Sequence, residues 1–97
     1  MADFLDTLAQ SAMERVKAGY YDVEKQVPTV PVSLKREILD SECVPIIAEI
    51  KAASPSAGII RKNVNAESIA VAMEKGGATG ISVLTEPKHF EGSLAAL

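Results

Sequence analysis

Apolar residues recur along the first part of the chain with the spacing of one helix face, and polar residues fill the positions between them. This pattern predicts an amphipathic helix from Asp3 to about Lys17, which Gly19 ends. The predicted apolar face consists of Phe4, Leu5, Leu8, Ala12 and Val16.

A proline-containing segment follows this helix. Residues 27–32 predict an extended connector, because a residue that precedes proline avoids the helical region. Ser33 is a candidate N-cap for a short helix that continues to Asp40.

Two apolar runs predict strands, Val44–Lys51 and Thr79–Thr85. A polar loop, residues 52–64, comes between them and is followed by a helix that Asn65 caps and Gly76–Gly77 ends. The connection is too long for a hairpin, so the two strands are expected to run parallel in a β-α-β unit.

The segment after the second predicted strand carries an aromatic residue and a histidine. By pattern alone, Phe90 is an apolar residue that folds its own loop back onto the domain. His89 has no evident partner in the sequence, and we expect it at the surface. Ser93 is expected to begin a further helix.

The first predicted strand ends with two charged residues, Glu49 and Lys51, on either side of Ile50. Side chains alternate along a strand, so the two charges share one face and Ile50 lies on the other, under a helix. Helices would cover both faces of an open parallel sheet, where a charged pair is costly. At the carboxyl-terminal mouth of a closed barrel the same pair can be solvated and used in chemistry. The pattern therefore favours a barrel, although a solvated strand end without function also fits it.

Composition narrows the class of protein. The chain has 97 residues, 47% hydrophobic and 24% charged, with a net charge of −3. This composition is typical of one small globular domain, or of a piece of a larger one, and does not favour nucleic-acid binding. Cys43 is the only cysteine, which excludes an internal disulfide, and we expect it to be buried. No apolar run is long enough for a membrane span, and no basic leader is evident, so a cytoplasmic location is expected.

Three segments together resemble the indole-3-glycerol-phosphate synthase family: Ile46–Gly58, Ile81–Glu86 and Phe90–Ser93. The first reads Ile-Ile-Ala-Glu-Ile-Lys-Ala-Ala-Ser-Pro-Ser-Ala-Gly, which is a long and chemically unusual motif. The resemblance covers almost the whole chain. Ala52 and Ala57 depart from it, since members often carry lysine at these positions.

The resemblance implies the N-terminal part of a (β/α)8 barrel. Residues 1–43 would form a helical extension, and residues 44–97 would form the first β-α-β unit. A complete barrel takes about 250 residues, so the chain is expected to be the first part of a longer enzyme and to be inactive alone. Its open strand edge predicts self-association or pairing with the missing barrel portion.

The resemblance also implies a reaction and its residues. The family closes the ring of 1-(2-carboxyphenylamino)-1-deoxyribulose 5-phosphate, with loss of carbon dioxide and water, to form indole-3-glycerol phosphate in tryptophan biosynthesis. Lys51 would meet the substrate carboxylate and help to deliver a proton, and Glu49 would bind a substrate hydroxyl and hold Lys51. Ser54 would line the substrate pocket, and Phe90 would pack against the substrate ring. The implied ligand is the phosphorylated substrate, and no metal or organic cofactor is implied.

Two alternatives remain open at this point. One is a related barrel enzyme that acts on another phosphorylated sugar, although the order Glu-x-Lys-x-x-Ser-Pro-Ser argues against it. The other is a non-catalytic module in which Glu49 and Lys51 are structural and an exposed face binds a partner.

Overall fold

The computed structural model describes residues 3–24 and 30–97, which form two units. The first unit ends at Pro31 and the second comprises Val32–Leu97. The second unit thus includes the short helix after Ser33 together with the strands. The boundary expected after residue 43 concerns where the barrel begins, and it stays a prediction.

The first unit contains helix α1, Phe4–Lys17, as the apolar spacing predicts. Asp3 and Asp6 form a reciprocal cap, in which the Asp6 N–H donates to Asp3 Oδ1 at 3.0 Å and the Asp3 N–H donates to Asp6 Oδ2 at 3.3 Å. The helix ends before Gly19, whose φ of +80° suits glycine. Of the expected extended connector, residues 27–29 lie outside the described residues.

The second unit alternates short helices and strands. Its elements are α2 (Leu34–Leu39), β1 (Ile47–Ile50), β2 (Ala53–Ser54), β3 (Gly58–Ile59), α3 (Ala66–Lys75), β4 (Gly80–Val83) and a 3₁₀ turn (Leu94–Ala96). The predicted caps of α2 and α3 are confirmed: Ser33 Oγ accepts the Arg36 N–H at 3.2 Å, and Asn65 Oδ1 accepts the Ser68 N–H at 3.0 Å.

Strands β1 and β4 pair in parallel, which confirms the predicted β-α-β unit. In their register, Glu49 lies opposite Ser82 and Ile50 lies opposite Val83. Helix α3 forms the crossover and contacts both strands. The carboxyl ends of the two strands therefore lie at the same edge of the sheet.

The apolar residues of this sheet are covered only in part. Ile50 is 6% exposed and lines a cavity with Ala66 and Ala70 of α3, so it lies under a helix as strand alternation predicts. Ile46 and Ile47, at the amino end of β1, are 59% and 53% exposed. Large apolar side chains thus remain in contact with solvent at the start of β1.

Several expectations from the sequence need correction. Both strands are shorter than the predicted Val44–Lys51 and Thr79–Thr85, because only four residues of each strand pair with the other. The loop of residues 52–64 is not irregular throughout, since β2 and β3 form an antiparallel hairpin within it. Ser93 precedes a single 3₁₀ turn with no side-chain cap. Cys43 is exposed, because it lies in the segment before β1, where neither strand nor helix covers it.

The structure also bears on membrane insertion. Within residues 3–24 and 30–97, no helix has both the length and the apolar character that a membrane crossing requires.

Candidate active site

A carboxylate, an ammonium group and a hydroxyl lie together at the carboxyl end of β1. Lys51 Nζ is 3.1 Å from Glu49 Oε1, which confirms that the two charges share one side of the strand. Ser82 on β4 donates a hydrogen bond from its Oγ to Glu49 Oε2 at 3.1 Å. Each oxygen of the Glu49 carboxylate thus has its own partner, which restricts rotation of the side chain and fixes where Lys51 is held.

This cluster is accessible to a ligand. The side chains of Lys51 and Glu49 are 36% and 39% exposed. Ile50, between them in sequence, is buried on the opposite face, so the strand is anchored while its two charged neighbours reach solvent. The arrangement offers one cation and one hydrogen-bonding carboxylate to a polar small molecule.

Phe90 borders the same cluster. The Lys51 ammonium lies 6.0 Å from the centre of the Phe90 ring, at the outer limit of a cation–π contact. Sequence positions almost forty residues apart are therefore brought together by the parallel pairing of β1 and β4. An aromatic surface beside a lysine suits a ligand that carries both a ring and a carboxylate.

Ser54 takes part in the hairpin turn that follows β2. Its Oγ accepts the Ala57 N–H at 3.1 Å and lies 3.4 Å from Ser56 Oγ. Gly58 begins β3 with a φ of +65°, which closes the turn. These contacts give Ser54 and Ser56 a structural role in the turn, and the role of Ser54 toward a substrate stays a prediction.

The loop that carries Phe90 is organised by Glu86, a residue that sequence reasoning missed. The Glu86 carboxylate accepts the backbone N–H groups of Lys88, His89 and Phe90 at 2.9, 2.7 and 2.8 Å. His89 also places its Nδ1 3.5 Å from Glu86 Oε1. The histidine side chain is 15% exposed, so the expectation of a surface position is wrong, because the loop folds around the carboxylate.

The described residues offer little for a metal ion. In residues 3–24 and 30–97, no group of three or more His, Cys, Asp and Glu side chains is placed to hold one. The polar groups that do converge are Glu49, Lys51 and Ser82.

The chain is similar to known proteins over almost its whole length. A family model described as indole-3-glycerol phosphate synthase matches residues 5–97. The chain belongs to the indole-3-glycerol phosphate synthase family. The match includes β1, α3 and β4, and with them the cluster of Glu49, Lys51 and Ser82.

Individual proteins named indole-3-glycerol phosphate synthase are similar to this chain. The one from Prochlorococcus marinus (strain AS9601) is 47% identical over 79 residues, which cover 78% of this chain and 27% of that protein. The one from Aliarcobacter butzleri is 39% identical over 90 residues, 88% of this chain and 34% of that protein. The one from Carboxydothermus hydrogenoformans is 36% identical over 103 residues, 93% of this chain and 39% of that protein. The chain therefore spans between a quarter and two-fifths of the length of these relatives.

Ser82 is the second residue of the site that sequence reasoning missed. Its contact with Glu49 depends on the register between β1 and β4, in which the two residues lie directly opposite each other. The available signal was weak: a serine within an otherwise apolar strand, which parallel strands of this kind seldom carry.

We expect Ser82→Ala in the complete protein to lower kcat/KM about threefold to tenfold, since one hydrogen bond to a carboxylate is lost. Ser68→Ala is a suitable control, because Ser68 is exposed on α3 and its hydroxyl donates to the Asn65 carbonyl, away from Glu49. Steady-state kinetics on both variants would check this. Equal kcat/KM for Ser82→Ala and the native protein would show that Glu49 is held adequately without the serine.

Proposed function

We propose that the complete protein is an indole-3-glycerol-phosphate synthase. The reaction joins the ring carbon that bears the carboxylate of 1-(2-carboxyphenylamino)-1-deoxyribulose 5-phosphate to its ketone carbon, and then releases carbon dioxide and water. The observation that carries this proposal is the Lys51 ammonium, held 3.1 Å from Glu49 and bordered by Phe90 at the carboxyl end of a parallel strand. The family match over residues 5–97 supports it independently.

In this proposal β1 and β4 are the first two strands of a (β/α)8 barrel. Residues 1–43 precede the barrel as a helical extension, and residues 44–97 form its first β-α-β unit. The parallel pairing and the crossover through α3 support this placement. Catalytic groups of such barrels lie at the carboxyl ends of the strands, where Glu49, Lys51 and Ser82 are found.

Lys51 acts first as a cation for the substrate carboxylate. Its charge stabilises the carboxylate while the new carbon–carbon bond forms, and its N–H groups help to deliver a proton to the ketone oxygen. Glu49 keeps the ammonium in place and accepts a hydrogen bond from a substrate hydroxyl. The two residues thus divide charge stabilisation and orientation between them.

Phe90 and Ser54 bind the substrate rather than take part in proton transfer. Phe90 packs against the aromatic ring, and its distance of 6.0 Å from the Lys51 ammonium suits a ring whose carboxylate reaches Lys51. Ser54 lines the pocket from the hairpin turn, where its Oγ is already fixed by the Ala57 N–H. Neither a metal ion nor an organic cofactor takes part in the proposed reaction.

The phosphate group of the substrate bears on the cellular compartment in which the proposed reaction takes place. A phosphorylated intermediate carries charge and does not cross a lipid bilayer unaided. We therefore place the activity in the cytoplasm, where such an intermediate would be made and used.

A direct assay separates the proposal from its alternatives. The complete protein is incubated with 1-(2-carboxyphenylamino)-1-deoxyribulose 5-phosphate, and formation of the indole chromophore and release of carbon dioxide are followed together. We expect the two products in equal amounts. Turnover only of other phosphorylated sugars would favour a related barrel enzyme. Absence of turnover with every substrate would favour a non-catalytic module.

A further inference from the structure

The loop between β4 and the 3₁₀ turn is closed by one side chain. Glu86 directs its carboxylate to three successive backbone N–H groups, those of Lys88, His89 and Phe90, at distances between 2.7 and 2.9 Å. The Glu86 side chain is only 11% exposed. Three donors on one shielded carboxylate form a rigid turn, because charge-assisted hydrogen bonds are about twice as strong as neutral ones.

The far end of the same loop is also fixed. The Gly92 N–H donates to the Glu86 carbonyl at 2.8 Å, so Glu86 binds the loop through its backbone as well as its side chain. A Cβ at Gly92 would collide with the carbonyl of Leu84, which explains the glycine at this position. Phe90 therefore lies within a segment that is hydrogen-bonded to the Glu86 side chain and, through Gly92, to the Glu86 carbonyl.

We infer that Glu86 is a positioning residue, which sets the location of Phe90 relative to Lys51 and thereby shapes the ring-binding side of the site. The bond from the Phe90 N–H to Glu86 Oε2 is 2.8 Å, and the Phe90 ring lies 6.0 Å from the Lys51 ammonium. Glu86 acts on the substrate only through Phe90. This inference rests on the proposed function, because it assumes that Phe90 packs against a substrate ring.

The kinetic signature of such a role differs from that of a catalytic group. A side chain that binds the substrate ring equally in the ground state and the transition state affects KM and leaves kcat nearly unchanged. A general loss of structure lowers the amount of active enzyme and thus the apparent kcat, but leaves KM unchanged. Glu86→Gln should therefore raise KM, as Phe90→Ala does, and leave kcat nearly unchanged.

The experiment compares Glu86→Gln, Phe90→Ala and the double variant in the complete protein. We expect Glu86→Gln to raise KM about tenfold, because an uncharged amide accepts hydrogen bonds from the loop N–H groups more weakly than the carboxylate does. In the Phe90→Ala background the same change should have little further effect, because the two residues act as one unit. Glu74→Gln is the matched control, since Glu74 is exposed on α3, and it should leave KM and kcat unchanged.

Amide hydrogen exchange provides a readout that needs no activity. In Glu86→Gln, the amides of Lys88, His89 and Phe90 should exchange about tenfold faster or more than in the native protein and in Glu74→Gln. Unchanged exchange at these three amides would overturn the inference, as would additive effects of Glu86→Gln and Phe90→Ala on KM. A native protein that lacks ring-closure activity would refute the proposed function, while the exchange comparison would still decide whether Glu86 holds the loop.

Discussion

Replacing Lys51 with alanine in the complete protein is expected to lower kcat by about 10²–10³-fold, the usual effect of removing one preorganised electrostatic group. The ammonium is paired with Glu49 at 3.1 Å, and it lies beside the proposed ring-binding residue Phe90. Without it, the substrate carboxylate would meet the carboxylate of Glu49 with no compensating charge. Steady-state kinetics with the ring-closure substrate measure the effect.

The fold should survive this substitution. Both partners of the Lys51–Glu49 pair are more than one-third exposed, and exposed ion pairs contribute about 0–1 kcal/mol to stability. A melting temperature close to that of the native protein would separate the catalytic effect from unfolding. Lys75→Ala is the matched control, because Lys75 is an exposed lysine in the last turn of α3. Near-normal kcat for Lys51→Ala would indicate that Lys51 is a solvated charge at the end of β1 without a catalytic function.

The helices of this chain are predictable because their signals are local. Ser33 and Asn65 each accept a backbone N–H three residues further on, as the sequence predicts. Asp3 accepts the Asp6 N–H in the same way, at the residue where the first helix was predicted to begin. The glycine after α3 is equally informative, since Gly77 adopts a φ of +101° that other residues avoid. Local hydrogen bonds of this kind do not depend on the rest of the fold.

The β2–β3 hairpin and the interior of the last loop were not predictable in the same way. The hairpin is only two residues long on each side, too short for the alternation that marks a strand. The position of His89 depends on the Glu86 carboxylate, around which the loop folds. A polar residue that accepts hydrogen bonds from backbone N–H groups within a loop follows no periodic pattern. In the sequence it cannot be distinguished from any other charged loop residue.

The residues of the candidate site show the same difference between features that are set locally and features that depend on the fold. Glu49 and Lys51 were predictable as a pair, because alternation along one strand places them on one side. Ser82 was not, because its contact with Glu49 depends on a register set across a crossover of about thirty residues. The side of a strand on which a residue lies can be predicted from the sequence. A contact between residues of two strands depends on their register, which only the structure gives.

The isolated 97-residue chain is expected not to be a stable, catalytically competent monomer. Among the described residues, Ile50 and Ala53 are the only apolar residues that are buried, while Ile46 and Ile47 are more than half exposed. The β1–β4 pair also leaves unpaired N–H and C=O groups along its outer edges. Small domains are marginal even when complete, because they bury a small fraction of their surface. The chain should self-associate, pair with the remainder of the barrel, or lack fixed side-chain packing.

Sedimentation velocity and near-UV circular dichroism on the isolated chain, with the complete protein as reference, measure these outcomes. If the exposed start of β1 drives association, Ile47→Lys should shift the chain toward the monomer, since a charge on a strand edge opposes pairing. Leu5→Lys is the matched control, because Leu5 is 71% exposed on α1 and lies in the other unit. A chain that sediments as a sharp monomer, melts cooperatively and shows fixed aromatic packing would be a self-sufficient domain. That result would refute the proposal that residues 44–97 are the first β-α-β unit of a barrel that needs its other strands.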